Sequence, residues 1–241
     1  MKQSRWMVTV GHVGGNAGLV LALWLVATGA VHWGWLLPWP VLHAFNTVMV
    51  SAGLHRYFAH ASFKTSPFWH RFMAGWSVLL LYGSPHAWAA AHTTHHVHSD
   101  TPRDPHYATW RYLFDKQFRD VPMLKGRLKR LVGDTTLDFV HRHGLTLWLG
   151  FVAAALAVSP TAFLFLYVVP LGSAHLVGAV HQVTSHRGGS PRNLAWLEYL
   201  LPTGGEWMHK THHDKPGLGS FRSRWWHLDL GAAFIHLIRK P

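Results

Sequence analysis

Two long stretches of the chain carry no charge. Between Arg5 and Arg56, and again over residues 144–186, there is no Lys, Arg, Asp or Glu. Each stretch has room for two apolar helices with a turn between them. Residues 18–37 can cross about 30 Å of hydrocarbon at about 1.5 Å per residue. Pro38 and Pro40 break that run, with Trp33, Trp35 and Trp39 at the break, where aromatic side chains mark a membrane–water boundary. Residues 39–54 form a shorter second span. Residues 145–158 and 162–180 make a second pair that turns at Ser159 and Pro160. The pattern predicts an all-α integral membrane protein with four transmembrane helices in two hairpins, at approximately 18–37, 39–54, 145–158 and 162–180. No segment alternates with the period of a strand.

The polar remainder forms two blocks, approximately 55–143 and 181–241, with Lys and Arg spread through both. Basic residues flanking apolar spans mark the cytoplasmic side. Both blocks and both termini are therefore expected there, within a single domain over residues 1–241. Residues 1–15 carry Lys2 and Arg5 ahead of an apolar run, as a signal peptide would. That run is too long for one and shows no small-residue cleavage site. A hydrophobic share of 49% against 13% charged fits a membrane protein. The net charge of +12 could suggest a nucleic-acid partner. Its placement around the spans accounts for it instead, and no such partner is expected. The absence of Cys excludes disulfides, thiolate metal sites and a cysteine nucleophile.

The chemistry lies in the histidines. His92, His95 and His96 stand as HxxHH, and His209, His212 and His213 repeat the pattern. His55 and His60 precede both as HxxxxH. Positions i, i+3 and i+4 share one face of a helix, so each HxxHH directs three imidazoles into one volume. In an α-helix His55 and His60 would stand roughly 140° apart, which suits two metals or two sides of one site. These imidazoles exceed the four to six or so that one ion accepts, so two ions are expected. Imidazole suits iron, zinc and copper alike. Residues 68–82 are apolar and end at Gly83, Ser84 and Pro85. As a simple span they would put the first two histidine motifs on opposite membrane faces. They are read instead as an interfacial or re-entrant amphipathic helix. A ligating imidazole usually gives its other N–H to an acceptor, and Asp100, Asp104, Glu206 and Asp214 lie near the motifs.

HRYFAH, then HTTHH with DPH behind it, then GGEWMHKTHHD and a WW-x-LD stretch resemble the membrane-bound fatty acyl desaturases. The likeness runs from about Gly53 to the C-terminus and is strongest to the acyl-CoA Δ9 (stearoyl-CoA) branch. The resemblance implies two irons and O2 as co-substrate. It implies removal of two hydrogens from adjacent methylenes of an acyl chain, giving a double bond and water. It implies a ninth histidine ligand, for which His186 is favoured and His175 is the rival. Gln182 stands where the family has an Asn that holds a metal-bound water, and Trp207 replaces the second Gly of its usual GEG. The implied substrate is a fatty acyl thioester, on CoA or a carrier protein, or an acyl-lipid. The implied electron donor is external, a ferredoxin or a cytochrome b5-like protein.

Other residues have plainer expectations. His98 and His106 are not assigned as ligands, and Trp88 is a candidate wall of an acyl tunnel. Trp225, Trp226 and Asp229 are expected to pack. Arg56, Arg103, Arg187 and Lys210 are candidates for contact with phosphates of a thioester carrier. Two other functions share these motifs: a related di-iron hydroxylase or oxygenase, and a non-catalytic metal-binding membrane protein. A zinc hydrolase is disfavoured, because HExxH is absent.

Overall fold

Helix α1 comprises Lys2–Thr9, a π-helical turn at Val10–Gly14, and Gly15–Ala27. It stops where Gly29 takes a left-handed φ of 73° and the N–H groups of Thr28 and Val31 close on the carbonyls of Trp24 and Leu25. A glycine in this conformation is a common helix end. The expected span at 18–37 is therefore displaced. Its apolar helix is Trp6–Ala27, and a 3-10 turn follows at Trp33–Leu36. The early turns stay helical because their polar groups are satisfied. His12 Nε2 lies 2.8 Å from the Leu113 carbonyl, and Asn16 Nδ2 donates to the His12 carbonyl at 2.7 Å.

The computed structural model describes residues 2–114 and 126–240. Residues 115–125, inside the first polar block, lie outside the described residues. After α1 come α2 (Trp39–Val48, continued by a π-helix over Met49–Ala59), α3 (Pro67–Leu80) and α4 (Pro85–His98). Then follow α5 (Thr135–Val158) and α6, which joins Pro160–Phe163, a π-helical stretch at Leu164–Val168, and Val169–Ser185. The short α7 (His209–Asp214) and α8 (Leu230–Ile238) complete the chain. Ser66, Ser84 and Asp134 cap α3, α4 and α5 with side-chain oxygens, as helix starts prefer. Among the described residues the only extended pairings are two isolated bridges, Thr65 with Arg239 and Asn193 with Met208. The fold is all-α.

Among the described residues two helices are long and apolar enough to cross a membrane, Trp6–Ala27 and Pro160–Ser185. They pack antiparallel, with Gly15 against Gly172. The expected spans at 39–54 and 145–158 are helical but belong to longer helices. α2 runs on through His55 and Arg56, and α5 begins at Thr135, so neither is apolar throughout. Helix α3 has 14 residues. At about 1.5 Å each that is too short to cross a bilayer. It packs on α5 and on the π-helical part of α2.

One buried hydroxyl ties α2 to α6. Ser173 Oγ accepts from Trp39 Nε1 at 2.8 Å and contacts His43 Nδ1 at 2.8 Å, and the other nitrogen of His43 reaches the Pro202 carbonyl at 3.0 Å. Ser173→Ala strands both partners and is expected to cost about 1–3 kcal/mol. Thermal unfolding in detergent, followed by helical circular dichroism, measures it.

Candidate metal centre

The π-helix at Met49–Ala59 decides where the first two histidines point. In such a helix the N–H of residue i+5 meets the carbonyl of residue i, and His60 N bonds the His55 carbonyl at 3.0 Å. His55 and His60 therefore share one face, with ring centres 4.9 Å apart. The α-helical separation expected from sequence does not apply, because this segment is wound more loosely.

The nine histidines meet in two groups. His55, His60, His92, His96 and His212 form one, and His95, His186, His209 and His213 the other. Helix α4 feeds both, since His92 and His96 turn one way and His95 the other. Helix α7 does the same with His212 against His209 and His213. In the first group, Nε2 atoms lie 3.0 Å apart for His55 and His212, 2.8 Å for His60 and His92, and 2.8 Å for His96 and His212. In the second they lie 2.7 Å apart for His186 and His209, 3.1 Å for His209 and His213, and 3.3 Å for His95 and His213. The groups adjoin, with the rings of His96 and His213 centred 4.5 Å apart.

Carboxylates hold the outer ring nitrogens. His55 Nδ1 lies 2.8 Å from Glu206, His95 Nδ1 2.9 Å from Asp104, and His186 Nδ1 3.1 Å from Asp100. Each Nδ1–H donates outward, which leaves Nε2 as a lone pair aimed into its group. Burial first, then the neighbouring imidazoles, pushes His92, His95, His96, His209 and His212 well below the usual histidine range, and His213 down to about 2. These rings are neutral at pH 7. Neutral lone pairs that converge repel unless a cation lies between them. Nitrogen ligands about 2.0–2.1 Å from one ion stand about 3.0–3.4 Å apart, close to the separations here. The donor set fits two imidazole-bound ions, iron among them.

Asp100 reaches His186 from the end of α4 with a left-handed φ of 62°, a conformation aspartate tolerates better than most residues. Asp214 does not join the other acids. It is exposed and pairs with Lys210 one turn away, at 2.6 Å. His175 stands apart from both groups, stacked on Tyr82 with Nε2 2.9 Å from the Leu80 carbonyl. His98 and His106 join neither group. Gln182 donates to the His106 carbonyl at 3.1 Å and faces a cavity beside the histidines. That cavity is lined by His55, His92, His95 and His209 together with Val50, Ala174 and Gly178. Trp88 lines it, parallel to the His92 ring at 6.1 Å.

Two expectations change, for Arg56 and Trp225. Arg56 cannot meet a phosphate, because it is fully buried and paired with Asp229. Arg103, Arg187 and Lys210 are exposed. Trp225 does not pack but is 88% exposed. Sequence reasoning also missed Glu198. It is buried and accepts from the N–H groups of Thr203, Gly205 and Trp207 at 2.9, 2.8 and 3.3 Å. It thereby shapes the loop that presents Glu206. The available signal was scarcity, since Glu198 and Glu206 are the only two glutamates in the chain.

No family model matches the sequence. Curated relatives do. The hex-5-enoyl-acyl-carrier-protein acetylenase of Moorena producens is 26% identical over 94% of this chain and 79% of its own length. The sn-1 stearoyl-lipid 9-desaturase of Anabaena variabilis is 24% identical over 79% of this chain and 75% of its own. A Delta(9)-fatty-acid desaturase of Caenorhabditis elegans is 26% identical over 85% of this chain and 67% of its own. This chain is similar to fatty acid desaturases. Its relatives are oxidoreductases, and Δ9 enzymes are among them. In this chain the stretches 92–96 and 209–213 each contribute to both histidine groups.

Proposed function

We propose that the chain is an O2-dependent di-iron desaturase that introduces a cis double bond, Δ9-like, into a fatty acyl chain carried by CoA or a lipid. The observation that carries this reading is the meeting of nine histidines in two adjoining groups beside one cavity. An alkyl chain offers no acidic proton, so acid–base chemistry cannot begin the reaction and a redox metal has to. When bound, the irons supply O2 activation. With two electrons and two protons from outside, O2 and a pair of methylenes become two waters and an alkene.

The residues of the chain do the rest. His55, His60, His92, His96 and His212 hold one ion, and His95, His186, His209 and His213 the other. Glu206, Asp104 and Asp100 fix the tautomer and direction of three of these rings. Val50, Ala174, Gly178 and Trp88 form the wall along which the alkyl chain lies, close to both groups. Gln182 orients a water at the same cavity. The spans are read as four helices in two hairpins, with both termini and the metal centre on the cytoplasmic side. That basic face suits an acidic donor, a ferredoxin or cytochrome b5-like protein.

The test is the fatty-acid profile, with double-bond positions, of cells expressing the chain or His95→Ala. A new monounsaturated acid that disappears in the variant is the expected result. A hydroxylated product in its place would reassign the chain to the hydroxylases. Absence of bound metal in the purified parent would overturn the reading.

A further inference from the structure

Arg56 follows His55 directly and is enclosed on every side. Its Nη1 donates to both oxygens of Asp229, at 2.9 and 3.1 Å, and to the Gly219 carbonyl at 3.0 Å. Its Nη2 donates to the Gly204 carbonyl at 3.0 Å and lies 3.5 Å from Glu206 Oε1. The guanidinium sits 3.9 Å over the Phe221 ring, which in turn touches His212 at 4.9 Å between centres. Asp229 also accepts from Phe221 N at 3.0 Å and from Ala232 N at 2.8 Å, and so starts α8. The enclosure needs glycine. A Cβ at Gly205 would lie 2.3 Å from Asp229 Oδ1, and one at Gly231 2.5 Å from the Gly204 carbonyl.

Burying a guanidinium is costly, and packing alone is met as well by apolar residues. The charge balance gives this one a role. Glu206 stands between His55 and Arg56, with Oε2 2.8 Å from His55 Nδ1 and Oε1 facing Arg56 Nη2 and accepting from Ser51 Oγ. Arg56 shares its positive charge between Glu206 and Asp229. Among the described residues no Lys or Arg pairs with Asp100 or Asp104 at the four-histidine group.

We propose that Arg56 and Asp229 are positioning residues for the five-histidine group: they fix Glu206 against His55 and offset part of its charge, which makes α8 a working part of the metal centre. The inference rests on the two-ion reading. Arg56→Met, Arg56→Lys, Asp229→Asn and Glu206→Gln, together with the Arg56→Met/Glu206→Gln double variant, are purified in lipid nanodiscs and titrated with cobalt(II). Bound metal per chain and the visible cobalt spectrum are recorded, and helical circular dichroism confirms folding. The parent is expected to take two ions. Arg56→Met and Asp229→Asn are expected to take one at a cobalt concentration that fills the parent, with the spectrum of the other ion intact. Arg56→Lys recovers part of the loss, and adds a folded sample should the methionine variant fail. The double variant loses no more than Glu206→Gln alone, because Arg56 acts through Glu206.

Two ions with an unchanged spectrum in Arg56→Met or Arg56→Lys overturn the inference. So does equal loss of both ions from a folded chain, which marks a general structural role. A parent that binds no ion overturns the two-ion reading first, and this inference with it.

Discussion

Gly172→Leu is expected to leave no folded protein in the membrane. A Cβ at Gly172 would lie 2.1 Å from the Gly15 carbonyl oxygen and 3.0 Å from Asn16 N, and one at Gly15 would lie 2.7 Å from Gly172 Cα. These are backbone atoms, so no side chain can swing aside. Close backbone approach through glycine is a general way to join apolar helices. Overpacking of a core costs about 1–3 kcal/mol when side chains can adjust. Here α1 and α6 must separate, so the loss exceeds that. The damage extends beyond the crossing. Gly11 abuts His175 three residues after Gly172, and α6 goes on to deliver His186. The measurement is the monodisperse fraction recovered on size exclusion in mild detergent. Gly150→Leu is the matched control, since nothing lies within 4 Å of a Cβ there. It should behave as the parent.

Asp104→Ala is expected to reduce metal affinity about 10–100-fold, the usual effect of removing a carboxylate that orients a ligating histidine. Asp104 is 1% exposed. Its two oxygens each lie 2.9 Å from His95 Nδ1, and it also accepts from His106 N at 2.7 Å and Asp100 N at 3.3 Å. Alanine frees the His95 ring to turn and to change tautomer. It also strands the His106 N–H and loosens the turn that presents Asp100 to His186. Two members of the four-histidine group are disturbed at once. Competition against a graded chelator reads the affinity, and Asp104→Asn should fall between parent and alanine. Asp214→Ala, one exposed partner of a surface pair, should change stability by less than about 1 kcal/mol and leave affinity alone. Equal effects of the two alanine variants would refute the assignment.

The histidine spacing made much of the site legible. The i, i+3, i+4 rule depends only on helical winding, and in α4 and α7 it brings the three rings toward the same centre, although each helix divides them between the two adjoining groups. The same rule failed at His55 and His60, because it presumes α-helical winding and Met49–Ala59 is a π-helix. Nothing in the residue types of that segment announces the extra residue per turn. The apolar runs located helices but not their ends. Gly29 stops α1 through a positive φ that hydropathy does not register, and the buried His12 is held within its early turns by a partner distant in sequence, the Leu113 carbonyl. Arg56 was misplaced for a related reason. A charge beside a histidine motif reads as exposed until Asp229, far along the chain, is brought against it. Glu206, Asp104 and Asp100 could be proposed from proximity, whereas Asp214, equally near, faces outward.

The two histidine groups also differ in when the ribosome completes them. Four members of the first, His55, His60, His92 and His96, exist once the chain has reached residue 96, and only His212 arrives late. The second has a single early member, His95, and waits for His186, His209 and His213. Biogenesis therefore has a built-in order. A nascent chain can assemble most of one pocket while α5 and α6 are still unmade, but the other closes only after α6 is in place. A chain that stalls before residue 186 holds a partial first pocket and almost none of the second.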